Sequence, residues 1–147
     1  MKVIKSRELC PLRKLFRQVA LKRVAKALVV ASESSVAAGD DILYRLPGVI
    51  SLMISYEGSS VRLIKEANAF RIMGPSEKSE VLLAVTIADS AALGDLMFRS
   101  ATWQKVYAEG RATFAGKVKY ATLLLRVAAE GDKATLSPEK YQALYGE

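Results

Sequence analysis

Histidine is absent from all 147 residues, and cysteine occurs once, at Cys10. Without imidazole there can be no Ser-His-Asp or Cys-His nucleophile pair and no histidine-ligated metal. A single thiol forms no intramolecular disulfide. Cys10, just before Pro11, reads as an inert thiol, with activation by nearby Lys and Arg as the minority alternative. Carboxylates are scattered, and the adjacent pair Asp40-Asp41 falls where a cap or loop is the commoner role than a metal site. Glycines are isolated and form no phosphate-cradling or dinucleotide fingerprint. Residue types therefore supply no catalytic constellation: no enzyme activity, no cofactor and no metal are expected. Binding is what remains.

Two sets of side chains could bind something. The first is basic. Residues 1–26 hold nine Lys and Arg against Glu8 alone, a net of +8 where the whole chain carries +7, so the other 121 residues together carry −1. Within that run Arg13, Lys14, Arg17, Lys22, Arg23 and Lys26 are the candidate docking residues. A solvated helix face, with stems laid over apolar neighbours, is the plain explanation. Attraction to anionic lipid headgroups comes next, at roughly 1 kcal/mol per basic residue near such a surface. Nucleic acid ranks third, since no zinc-finger, basic-zipper or aromatic-interleaved pattern accompanies the charges.

The second set is apolar. Leu93, Leu96 and Met97 fall at i, i+3 and i+4, and Trp103, Val106 and Tyr107 repeat the spacing. Asp89 or Ser90 can cap the first of these helices, and Ser100 the second. Gly110 ends the pair, and Arg111 to Ala115, with Phe114, alternates like a half-buried strand. A helix from Val118 to Val127 then carries apolar groups on opposite sides: Val118, Ala121, Thr122, Leu125 and Ala128 on one, Tyr120, Leu123, Leu124 and Val127 on the other. Such a helix must bury both sides.

The elements that position these residues follow from periodicity. Pro11 suits a helix start, and Leu12, Leu15, Phe16 and Val19 form a stripe that gives way to Arg23 and Lys26, while the apolar side moves to Leu21, Val24 and Leu28. Either the helix breaks near Ala20 to Lys22, or a continuous helix meets different partners on its two halves. Ala31 to Asp41 reads as helix end and connector, dividing a basic helical segment, 1–40, from a domain spanning 41–147. Ile42 to Leu46 reads as one more turn before Pro47-Gly48. Val49 to Tyr56, Val61 to Ile64, Ala69 to Met73 and the doubly apolar Val81 to Ile87 read as strands, the short polar links arguing an antiparallel meander. A turn at Glu130-Gly-Asp132 and a short helix after Ser137-Pro138 close the chain.

This order resembles the sterol carrier protein type-two lipid-binding domain over about Val49 to Val127. Asp89 after a strand, the Leu-rich helix pair, and Gly110, Arg111, Phe114 and Gly116 before an apolar closing helix stand at that family's places. Lys117 departs from the acidic or amide residue usual after the second glycine. The resemblance implies an α+β fold, a mostly antiparallel five-stranded sheet with helices packed on one face. It also implies a hydrophobic tunnel for a fatty acyl chain or sterol-like lipid, walled by Leu93, Leu96, Met97, Trp103, Val106, Tyr107, Phe114, Leu123 and Leu124. Ordinary core is the alternative for the same side chains, and a homodimeric interaction module is the alternative function. Leu124→Arg is expected to abolish ligand binding while leaving the fold largely intact. No apolar run reaches the roughly 20 residues of a membrane span, and the first residues lack a signal-peptide core. The C-terminus does not match a peroxisomal address. A cytoplasmic location is expected.

Overall fold

A computed structural model of the chain describes residues 6–37, 49–66, 69–74 and 76–146, with side chains at 14–34, 49–65, 69–74 and 76–146. Expectations at Asp40-Asp41, Ile42 to Leu46 and Pro47-Gly48, and at the Cys10 and Arg13 side chains, lie outside these residues. The elements are α1 (Ser6–Ala37), β1 (Ile50–Tyr56), β2 (Ser59–Glu66), β3 (Ala69–Ile72), β4 (Leu83–Ile87), α2 (Ser90–Phe98), α3 (Trp103–Ala108), β5 (Ala112–Gly116), α4 (Val118–Thr135) and α5 (Pro138–Tyr145).

The fold is α+β, and its five-stranded sheet has the order β3-β2-β1-β4-β5. The sheet is mixed, which corrects the expected meander. β4 pairs parallel with β1 (Leu52 opposite Leu83, Ile54 opposite Val85), while the other pairs are antiparallel. The polar loop after β3 does not turn back as a hairpin. It crosses the outward face of the sheet, past β2 and β1. Arg62 Nη2 donates to Glu77 O at 2.6 Å, Arg71 Nη1 to Glu77 Oε1 at 2.8 Å, and the Ser51 hydroxyl to Glu80 O. Glu77 Oε1 also accepts from Gly74 N at 3.1 Å. The Arg71 hydrogen bond, then that amide, hold the Glu77 carboxyl down at about 2.

The period-two alternation holds in β1. Ile50, Leu52, Ile54 and Tyr56 are buried, and Leu63 and Val61 sit opposite Leu52 and Ile54 on the same inward face. Lys65 shares that face, opposite Ile50 and Phe70, and its burial draws its pKa down. β1 and β2 are joined by Glu57 and Gly58 alone, at φ +46° and +81°. Positive φ at both central residues matches the twist of a two-residue hairpin.

α1 is continuous through Ala20–Lys22 and runs on to Ala37, six residues beyond the expected connector start. Its buried residues are Leu21, Val24, Ala25, Leu28, Ala31 and Ser32. This stripe packs along α4 and across β2 and β3. Ser32 Oγ accepts from Phe70 N at 3.1 Å, so the helix also satisfies an amide of edge strand β3.

α4 is longer than expected. Gly131 is not a turn but a buried helical residue facing Ala31, and a Cβ built there would lie 2.2 Å from Ala31 Cβ. Only glycine lets the two backbones approach so closely. The buried side of α4 is Leu123, Leu124, Val127, Ala128 and Gly131, while Val118 is 79% exposed. Ala128 therefore shares a face with Val127, and the helix buries one broad side.

Candidate functional site

Local chemistry fixes the two short helices. Asp89 Oδ1 accepts from Ala92 N at 2.7 Å and caps α2. α3 is capped by Thr102, whose Oγ1 accepts from Lys105 N at 3.0 Å. The expected cap, Ser100, instead donates to Asp95 Oδ1 at 2.9 Å. Between the helices Arg99 adopts φ +57° and donates to Asp132 Oδ1 at 2.7 Å, tying the end of α2 to α4. Tyr145 of α5 donates to the other oxygen of Asp132.

Against this frame a groove of about 640 Å³ opens between the N-terminal half of α1, the β1–β2 hairpin and α2. Phe16, Val19 and Ala20 form one wall, and Leu93 and Met97 the other. Tyr56, Glu57 and Ser90 close the hairpin end, and Arg17 and Arg23 border the α1 side. Its volume lies in the range of small-molecule sites, and its walls have the expected character: mostly apolar, with a few convergent polar groups. Arg17 Nη1 donates to Glu57 Oε2 at 3.1 Å. Burial, and then the Glu57 carboxylate beside it, push the Tyr56 phenol up. A smaller cleft of about 300 Å³ continues along the same side of α1, bordered by Arg23, Ala27, Val30, Leu96, Trp103 and Ala128. Arg23 borders both.

The nine side chains expected to wall a tunnel are distributed over several places. Leu93 and Met97 line the larger groove. Leu96 and Trp103 line the smaller cleft. Val106, Leu123 and Leu124 are wholly buried in the core. Tyr107 and Phe114 stack on each other with ring centres 4.6 Å apart, beside edge strand β5. Leu124 is fully buried, so Leu124→Arg would leave an unpaired charge in the core. It would disrupt folding and is no specific probe of binding.

Of the basic residues, Lys14, Lys22, Arg23 and Lys26 are exposed on α1, whereas Arg17 is half-buried against Glu57. On the same half of the helix Leu15, Phe16 and Val19 are 58%, 69% and 46% exposed. The stripe through Phe16 and Val19 is visible in the sequence, yet spacing alone does not reveal that it walls a groove. Tyr56 reads there as a strand residue and nothing more. Among the described residues no three His, Cys, Asp or Glu side chains gather as metal ligands. No described helix is long and apolar enough to cross a membrane.

No family model and no curated protein matches the chain. Solved structures that resemble it include sterol carrier proteins and one that bears that domain's name. Sterol carrier protein 2 like 2 from Aedes aegypti is 16% identical at a TM-score of 0.38, over 65% of this chain and 96% of that one. The palmitated form of that mosquito protein gives 16% and 0.45, over 70% and 92%. The ubiquinone synthesis protein UbiJ-SCP2 gives 15% and 0.46, over 87% and 95%. Superposition at these TM-scores is partial.

Proposed function

We propose that the chain is a non-catalytic binder or carrier of a hydrophobic ligand, an acyl chain or sterol-like lipid, held in the groove between α1 and α2. The observation that carries this is the groove itself: about 640 Å³, with Phe16, Val19, Ala20, Leu93 and Met97 as its apolar walls. Each acyl methylene transferred from water into such walls contributes about 0.8 kcal/mol. A long chain thus reaches micromolar affinity without a specific polar contact. Met97 adapts to ligands of different shape, because its unbranched thioether side chain is flexible and polarizable.

Exposed Lys14, Lys22, Arg23 and Lys26 beside exposed Leu15 and Phe16 support docking of this half of α1 to an anionic membrane surface, where ligand could be exchanged. The experiment is a titration with a fluorescent fatty acid. Saturable binding near one per chain is expected, weakened about tenfold or more by Met97→Arg, which puts a charge on the partly buried groove wall. Unchanged binding in the folded variant rejects the groove.

The same exposed Leu15, Phe16 and Val19 favour a second reading, in which α1 of one copy packs on another and no lipid is bound. Light-scattering mass measurements on wild type and on Arg23→Glu with Lys26→Glu separate the two. A dimer that dissociates in the variant supports this second reading, and a monomer in both supports the first.

A further inference from the structure

We propose that the hairpin end of the groove selects amphiphiles with an uncharged, hydroxyl-bearing head over those with a carboxylate. This rests on the lipid-binding reading above and names the ligand class within it. The polar groups at that end are Tyr56, Glu57, Ser90 and Arg17. Arg17 and Glu57 form an ion pair at 3.1 Å, so this end is close to neutral and its strongest donor already faces a carboxylate. Yet Arg17 Nε is buried with no acceptor.

A hydroxyl serves both members of that pair. Its oxygen accepts from the Arg17 guanidinium, and its own hydrogen is offered to Glu57. A carboxylate can accept but cannot donate, and it must approach Glu57 as a like charge. Arg23 is the other charged group on the groove. It is exposed at the end away from the hairpin, where water screens it.

The test is displacement of Nile red, a neutral dye, by dodecanol and by laurate, two ligands of equal chain length, near neutral pH. Dodecanol is expected to displace the dye at about a tenfold lower concentration, the factor that one hydrogen bond to a charged group supplies. Because the alcohol also leaves water more readily, the deciding quantity is the laurate-to-dodecanol ratio in Glu57→Gln. It should shrink several-fold there as laurate improves. A ratio unchanged by Glu57→Gln overturns the proposal. So does laurate binding as tightly as dodecanol and losing that affinity in Arg23→Gln, which would put an anionic head at Arg23. If neither compound displaces the dye, and Met97→Arg leaves dye binding untouched, lipid binding in the groove is itself rejected, and the head-group preference with it.

Discussion

Gly131 shows how a single missing Cβ sets the distance between two helices. A methyl group there would sit 2.2 Å from Ala31 Cβ and 2.6 Å from Ala31 Cα, and backbone cannot step aside as a flexible side chain can. Gly131→Ala is therefore expected to destabilise the protein. Overpacking costs about 1–3 kcal/mol, and the better helix propensity of alanine offsets up to about 1. Urea unfolding would read the loss, and adding Ala31→Gly should restore part of it, a coupling that a purely local effect of Gly131 would not produce. Glu77 makes a different prediction at this scale. Its folded carboxyl, held at about 2, lies below the usual 4.5, so the crossover loop contributes stability that is complete above 4.5. That contribution is lost as pH falls from 4.5 through 2. Melting temperature should drop across this window more steeply in wild type than in Glu77→Gln. Parallel curves would mean that the Arg71 contact has no thermodynamic weight. In sequence Gly131 reads as a turn, flanked by Glu130 and Asp132. Nothing local distinguishes a helix-ending glycine from one that admits a neighbouring helix, because the reason for it sits a hundred residues away at Ala31.

α1 carries two apolar stripes of different fate. The one through Leu21, Val24 and Leu28 is buried, while Leu15, Phe16 and Val19 remain open beside the groove. Leu28→Ala should cost about 2–5 kcal/mol, as for other buried leucines. Phe16→Ala should leave stability within about 0.5 kcal/mol while weakening ligand binding. Denaturant midpoints together with the fatty-acid titration separate these effects, and a large stability loss for Phe16→Ala would mean that its half of α1 is core. The displacement of one stripe from the other is plain in the sequence. Which stripe meets the protein is not, because periodicity gives relative angles and leaves the partner open. The strands were more legible. Alternation in Ile50 to Tyr56 marks β1, and the apolar run Val81 to Ile87 contains β4, although β4 buries Leu83, Val85 and Ile87 on one face and leaves Thr86 exposed instead of burying both. Their pairing was not, since a polar loop such as Gly74 to Ser79 looks the same whether it turns back or crosses the sheet.

At the scale of the whole molecule, α1 is both part of the core and one wall of the groove. Its C-terminal half packs along α4 and satisfies an edge-strand amide through Ser32, and its N-terminal half faces α2 across open space. That division places an apolar groove against a firmly held helix, with exposed positive charge beside the opening. Helical spacing marks Leu93 and Met97 as apolar neighbours, and the resemblance makes them lining residues; both border the groove. The resemblance names Val106, Leu123 and Leu124 as well, which are buried in the core, since burial against protein and burial against ligand ask for the same side chains.

Native mass spectrometry of the purified protein, followed by organic extraction, tests the central claim most directly. A lipid of defined mass at close to one per chain is expected in wild type, and it should be absent from folded Met97→Arg. A wild-type chain free of ligand, or a Met97→Arg chain that keeps the same lipid, would contradict binding between α1 and α2.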